Sequence, residues 1–200
     1  MGGTRLPAGR LEDRFARLRR SKPRLRSQLS LVRVAEAARQ TRMTHWSEWR
    51  DLAPALAFSP QALSETLDGG QCFRWTFREM EDVWLGIWGT NVARIRTTPT
   101  GTLQASLPAG SGSIAAVERF LDSETDWLQL VDSLPWRSDF HLETCLRAFA
   151  GLRILKQPFA ETLLAFLCSA TKQIPQIKVM CERMAAHLGT EIVAGHHAMP

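Results

Sequence analysis

From residue 46 onward, the spacing of apolar and polar residues divides the chain into a strand-rich part and a helical part. Ser59 and Pro60 suit the N-cap and first residue of a short helix, and Gly69 suits its end. Four runs rich in β-branched and aromatic residues follow, and the segments between them are short enough for antiparallel hairpins. The predicted strands cover residues 73–77, 83–88, 92–97 and 103–107.

Beyond the glycine-rich loop at residues 110–112, apolar residues recur with the period of helices. The predicted helices cover residues 114–121, 127–134, 139–150, 159–170 and 177–188. Proline and glycine residues mark their boundaries, at Pro135, Gly151, Pro158, Pro175 and Gly189. The last two helices each carry an apolar stripe, so each should bury one face. The stripes are Phe159, Leu163, Phe166, Leu167 and Ala170, and then Ile177, Cys181, Met184 and Leu188.

An antiparallel meander followed by helices predicts an α+β fold. Its strands carry aromatic side chains that can form an apolar face. We interpret these residues as sheet core, with nucleobase stacking as the alternative. They are Trp75, Phe77, Trp84 and Trp88.

A chain of 200 residues with 44% hydrophobic residues can bury a core without a disulfide or a metal. No apolar run approaches the roughly twenty residues that a membrane span needs, and the arginine-rich start lacks a secretory signal. The four cysteines show no paired metal-site spacing, so we expect them to be reduced and mostly buried. We expect no cofactor, no metal site and no membrane partner.

The net charge of +5 conceals an asymmetry. Residues 1–50 carry thirteen Arg or Lys against four Asp or Glu, whereas residues 51–200 carry twelve against sixteen. Residues 1–42 are therefore predicted to be a basic, disordered leader that could contact DNA phosphates. Met43 opens the globular composition, so the alternative is that this leader is not translated.

Two short segments about a hundred residues apart carry the functional signal. Residues 69–75 read Gly-Gly-Gln-Cys-Phe-Arg-Trp, and residues 168–174 read Cys-Ser-Ala-Thr-Lys-Gln-Ile. Together with the strand order and the approach at residues 151–158, they resemble the N-terminal part of 8-oxoguanine DNA glycosylases. The resemblance covers roughly residues 46–200. It implies a TBP-like antiparallel domain at residues 43–134 and the start of a helical glycosylase domain at residues 135–200.

In that family, the glycine before the glutamine presents a backbone carbonyl to the extruded base, and the matching residue here is Gly70. The second segment enters the duplex, where it fills the gap and reads the orphaned base. The positions implied here are Thr171, Lys172, Gln173 and Gln176. Animal-type members have an Asn-rich stretch and an arginine there. Because Gln176 lacks the donor fork of arginine, strict preference for cytosine opposite the lesion is in doubt.

The resemblance implies base-excision repair by glycosidic cleavage of an oxidised purine in double-stranded damaged DNA, with an AP-lyase step in the complete enzyme. The family places its nucleophilic lysine and supporting aspartate after a helix-hairpin-helix, and this sequence stops at Pro200 before such a segment. We assign no catalytic residue and expect the 200-residue chain to be an inactive N-terminal part. The expected location is cytoplasmic, at the nucleoid, or nuclear.

Three alternatives are open. The chain could be a non-catalytic module that binds damaged DNA or a partner supplying the missing half. Thr171 and Gln176 leave room for an alkylated-base glycosylase fragment. The third alternative is an α+β interaction domain with no nucleic-acid role.

Overall fold

The structure of the protein is a computed structural model that describes residues 45–200. Residues 44–200 form one compact unit. The predicted leader at residues 1–42 lies outside the described residues. The domain boundary between residues 134 and 135 stays a prediction.

The described residues contain six helices and seven short strands. The helices are α1 (Pro60–Asp68), α2 (Ile114–Phe120), α3 (Trp127–Asp132), α4 (Phe140–Ala148), α5 (Phe159–Ser169) and α6 (Ile174–Leu188). The strands are β1 (Arg50–Asp51), β2 (Trp75–Arg78), β3 (Val83–Trp88), β4 (Asn91–Thr97), β5 (Leu103–Ser106), β6 (Glu191–Val193) and β7 (His196–His197). None of the described helices is long and apolar enough to cross a membrane.

Strands β1 to β5 form one antiparallel sheet in the order β1-β5-β4-β3-β2. The meander predicted from the sequence is confirmed, as is the α+β class. Strand β1 was not predicted, because two polar residues, Arg50 and Asp51, carry no strand periodicity. They form a strand only by pairing with Ala105 and Gln104 at the edge of the sheet.

Three stacked aromatic rings form the centre of the main core. The Trp75 ring lies 5.7 Å from both Trp88 and Phe120, which joins β2, β3 and α2. Trp75 is opposite Gly86 in the β2–β3 pair, and the ring occupies the space that a side chain at Gly86 would fill. Trp84 is also buried, whereas Phe77 is 41% exposed. The core interpretation is confirmed for the three tryptophans and wrong for Phe77.

Helix α1 begins as expected, with the Ser59 hydroxyl accepting a hydrogen bond from the backbone N–H of Ala62. Its buried residues Leu63 and Leu67 join the main core. The helix ends at Asp68, directly before the two glycines of the first functional segment. The packing of α1 therefore sets where that segment starts.

Helices α5 and α6 pack on each other around a second, smaller cluster of Ala165, Ile177 and Cys181. The expectation that the predicted stripe of α5 is buried is wrong, because its large side chains are exposed. Their exposed fractions are 80% for Phe159, 44% for Leu163, 70% for Phe166 and 63% for Leu167. The inward face of α5 is set instead by a polar contact, in which Glu161 accepts a hydrogen bond from the Gly89 backbone.

Helix α6 starts three residues earlier than predicted, at Ile174. Pro175 lies within its first turn instead of interrupting it, because a residue there needs no backbone N–H for the helix. The predicted burial of the stripe on α6 is confirmed for Ile177 and Cys181, which are buried against α5. It is wrong for Leu188, which is 69% exposed.

The β6–β7 hairpin at the end of the chain was not predicted. It is anchored by Arg74, whose Nη2 donates to the backbone oxygen of His197 at 2.7 Å. Since this contact spans 123 residues of sequence, no local pattern could have revealed it.

Replacing Gly86 with alanine tests the aromatic core. A Cβ at this position overlaps the Trp75 ring, and overpacking of this kind costs about 1–3 kcal/mol of unfolding free energy. The measurement is urea unfolding of Gly86→Ala. Thr76→Ala is the control, because Thr76 is an exposed residue of the neighbouring strand β2, and its side chain is not packed against the core. Equal losses in the two variants would contradict a packing role for Gly86.

Candidate nucleic-acid interface

The two segments singled out from the sequence lie next to each other in the structure. A methyl group placed on Gly70 would lie 3.5 Å from Cδ1 of Ile174, the first residue of α6. One helical turn later, Nζ of Lys178 forms an ion pair with Oδ1 of Asp68 at 2.5 Å. The end of α1 and the start of α6 are thereby joined, and Gly70 faces Ile174, which directly follows the turn between α5 and α6.

Gly70 is half-buried and has a φ of 106°, a conformation that side-chain-bearing residues rarely adopt. Within the described residues, no group donates a hydrogen bond to its carbonyl oxygen. The Gly70 carbonyl oxygen therefore has no donor among these residues and can accept a hydrogen bond. The base-recognition role that the family resemblance implied for Gly70 stays a prediction.

The α5–α6 turn is exposed and conformationally unusual. Thr171 has a φ of 60°, in the left-handed region that a β-branched residue seldom occupies. The backbone N–H of Lys172 closes the turn by donating to Ser169 at 3.1 Å. Thr171, Lys172 and Gln173 are all exposed, so their side chains are accessible to a ligand such as DNA.

Gln173 and Gln176 also have a local structural role that the sequence reading missed. The backbone N–H of Gln173 donates to Oε1 of Gln176 at 3.1 Å, and the backbone N–H of Gln176 donates to the Gln173 carbonyl at 2.9 Å. These bonds satisfy groups at the start of α6. Two glutamines three residues apart, at the N-cap and N3 positions, were a signal in the sequence that α6 begins at Ile174. The base-reading role of Gln176 stays a prediction.

Arg74, in the first segment, is a buried cation that links three parts of the fold. Its Nε pairs with Oε1 of Glu182 in α6 at 2.9 Å, and its side chain is 2% exposed. It also anchors His197, as described above. Arg74 thus belongs to the support of the interface and does not face solvent.

Glu161 is a half-buried carboxyl group nearby. Burial raises the pKa of its carboxyl group, while the 2.7 Å hydrogen bond from Gly89 and the charge of Arg74 oppose that rise. Glu161 connects α5 to the β3–β4 turn. Together with Arg74 it forms a polar joint between the sheet and the α5–α6 hairpin.

The cysteines near the interface are poorly suited to nucleophilic chemistry. Burial raises the pKa of Cys72 to about 12 and that of Cys181 to about 11. Both are free thiols, in agreement with the expected reduced state, although Cys145 is exposed. The described residues at this interface therefore offer hydrogen bonding and charge for binding.

The antiparallel sheet and the helices that follow it define an α+β fold that a solved 8-oxoguanine glycosylase/lyase shares. The sequence model of the 8-oxoguanine DNA glycosylase N-terminal domain matches residues 55–163. The chain belongs to this family.

Solved structures with the same fold include MBOgg1 in complex with a low-affinity DNA ligand. It is 24% identical, with a TM-score of 0.61 over 77% of this chain and 55% of that chain. The Clostridium acetobutylicum 8-oxoguanine glycosylase/lyase, in complex with double-stranded DNA containing cytosine opposite 8-oxoG, is also 24% identical. Its TM-score is 0.59, over 69% of this chain and 47% of that one.

The apo form of the Clostridium acetobutylicum enzyme is 25% identical, with a TM-score of 0.60 over 69% of this chain and 48% of that one. The chain therefore spans about half the length of the solved relatives it matches.

The strained turn generates a stability prediction. Asparagine tolerates the left-handed conformation better than threonine, so Thr171→Asn should raise the unfolding free energy by about 0.5–1 kcal/mol. Thermal and urea unfolding measure this. Thr190→Asn, at an exposed position without positive φ, should change stability by less than about 0.5 kcal/mol. A loss of stability in Thr171→Asn would show that the turn is not strained by Thr171.

Proposed function

We propose that this chain recognises 8-oxoguanine in double-stranded DNA as the N-terminal part of a base-excision repair glycosylase. The observation that carries the proposal is the Gly70 carbonyl, which has no donor among the described residues and lies beside the α5–α6 turn. Family membership supports it, as does the resemblance to glycosylases solved with DNA. In the cell, the chain would act at the nucleoid or in the nucleus.

The chemistry of discrimination follows from one atom of the base. 8-Oxoguanine carries a hydrogen on N7, whereas guanine presents a lone pair there. A fixed carbonyl accepts a hydrogen bond from the lesion and repels the normal base. To be read in this way, the base must leave the stack and enter a pocket.

The α5–α6 turn supplies the second part of the proposed interface. Thr171 and Gln173 would occupy the space left by the extruded base, and Lys172 would contact a phosphate or the same gap. Gln176 would read the orphaned base. Because an amide offers both a donor and an acceptor, it would discriminate less strictly than an arginine.

In bifunctional members of the family, glycosidic cleavage and the lyase step use an amine nucleophile and a supporting carboxylate. We assign neither role to Lys172 or Lys178, since Lys178 is held by Asp68 and Lys172 lies on the exposed turn. The proposed contribution of residues 45–200 is therefore lesion recognition. Cleavage would be supplied by the half of the family fold that this chain does not span.

Binding to three matched duplexes tests the proposal. Each duplex carries one variable base opposite cytosine: 8-oxoguanine, 7-deazaguanine or guanine. We expect the tightest binding to 8-oxoguanine, about tenfold tighter than to guanine, with 7-deazaguanine between because its C7–H removes the repelling lone pair. Fluorescence anisotropy at fixed salt measures the Kd values. Equal affinity for all three duplexes would contradict lesion recognition by this chain.

The exposed face of α5 favours a second candidate, in which the chain is one half of a two-part enzyme. Phe159, Phe166 and Leu167 present a contiguous apolar surface of a kind that usually marks an interaction site. The solved relatives are about twice as long as the matched region. We propose that this face is covered by a helical segment equivalent to the unmatched half of those relatives.

Complementation tests this second candidate. The chain is coexpressed with the unmatched half of MBOgg1, and the two halves of MBOgg1 itself serve as the control pair. We expect copurification that Phe166→Ser abolishes, because the substitution removes apolar area from the interface. If the MBOgg1 halves associate but this chain does not join its partner half, the proposed occupant of the α5 face is wrong.

A further inference from the structure

The residue directly after Gly70 is Gln71, and its side chain forms two hydrogen bonds with the backbone of residues 153–155, which are distant in sequence. Its Nε2 donates to the backbone oxygen of Arg153 at 2.9 Å, and its Oε1 accepts from the backbone N–H of Leu155 at 3.1 Å. The amide thus imitates a peptide group paired with an extended chain. Eighty-two and eighty-four residues of sequence separate the partners.

Gln157 completes the connection from the other side. Its Nε2 donates to the backbone oxygen of Gln71 at 2.7 Å. Both the side chain and the main chain of Gln71 are therefore bonded within residues 153–157. Three atoms of Gln71 are fixed by hydrogen bonds: Nε2, Oε1 and the backbone oxygen.

The segment that holds Gln71 is itself anchored. Leu155 is 6% exposed and belongs to the main core. On the side away from Gln71, the backbone N–H of Lys156 donates to the oxygen of Phe120 at 2.9 Å. The position of Gln71 is thereby tied to the aromatic core.

The hydrogen bonds of Gln71 also restrict Gly70, because the two residues are linked by a peptide bond. The Gly70 carbonyl and the nitrogen of Gln71 belong to one planar peptide group. Fixing Gln71 therefore limits the direction of the Gly70 carbonyl, even though glycine itself is conformationally permissive. Because hydrogen bonds weaken steeply with misalignment, such a constraint sharpens discrimination at the carbonyl.

We infer that Gln71 and Gln157 are positioning residues that orient the Gly70 carbonyl for lesion recognition. The inference rests on the proposed function. It assigns specificity to two amide side chains that do not touch the base. Their loss should lower the preference for the lesion more than the affinity for undamaged duplex, since contacts to phosphates remain.

The test uses the full chain with Gln71→Met and Gln157→Met. Gln157→Met removes only one hydrogen-bond donor, on a half-buried side chain. It therefore tests the inference even if Gln71→Met fails to fold. Gln61→Met on the exposed surface of α1 is the matched control. Two readouts are taken: the ratio of Kd values for guanine and 8-oxoguanine duplexes, and the 15N order parameter of the backbone amide at position 71, which shares a peptide plane with the Gly70 carbonyl.

We expect the Kd ratio to fall about tenfold toward one in both variants and to stay unchanged in Gln61→Met. The order parameter of the amide at position 71 should fall from about 0.85 to below about 0.6. An unchanged order parameter in folded variants would overturn the inference whatever the DNA result. An unchanged Kd ratio in a chain that does prefer the lesion would also overturn it. Loss of order at the amide of position 71 in a chain without lesion preference would sustain the positioning role but reject the proposed function.

Discussion

The burial of Trp75 against Gly86 is the constraint on which the rest of the structure depends. The ring fills space that only a glycine in β3 leaves open, and it stacks on Trp88 and Phe120. That contact fixes β2 relative to β3 and draws α2 onto the sheet. It also fixes the residues immediately before Trp75, and these include the glycine turn of the candidate interface.

The candidate interface lies at the edge of this apolar core, where polar contacts connect the sheet to the α5–α6 hairpin. Arg74, Glu161 and Lys178 each connect the sheet or α1 to the α5–α6 hairpin. Arg74 is buried and the other two are half-buried, and charged groups in such places are costly to leave unpaired. They therefore specify one docking geometry instead of adding large net stability. This packing places Gly70 next to the α5–α6 turn.

The same joint explains why α5 is rotated as it is. Pairing of Glu161 with Gly89 directs the polar side of the helix toward the sheet, which leaves Phe159 and Phe166 outward. A helix with apolar residues on both sides can bury one face only where a partner lies. The exposed face of α5 thus follows from the hydrogen bond that holds the half-buried Glu161 carboxyl group to Gly89.

The amino-acid sequence by itself determined much of the local structure. The cap at Ser59, the strand runs from residue 73 to residue 107 and the glycine turn at Gly70 follow from side-chain chemistry and backbone preference between neighbours. The family resemblance also lay in short contiguous segments, and it was confirmed. These features could be read because their causes lie within a few residues.

Only the tertiary structure decided which faces are buried and what holds the interface. Strand β1, the β6–β7 hairpin, the outward face of α5 and the bonds of Gln71 to residues 153–157 depend on partners distant in sequence. Periodicity reports that a helix has an apolar stripe, but it does not report what lies opposite. The orientation of Gly70 is set by amides more than eighty residues away, because a hydrogen bond depends on distance in space and not on separation along the chain.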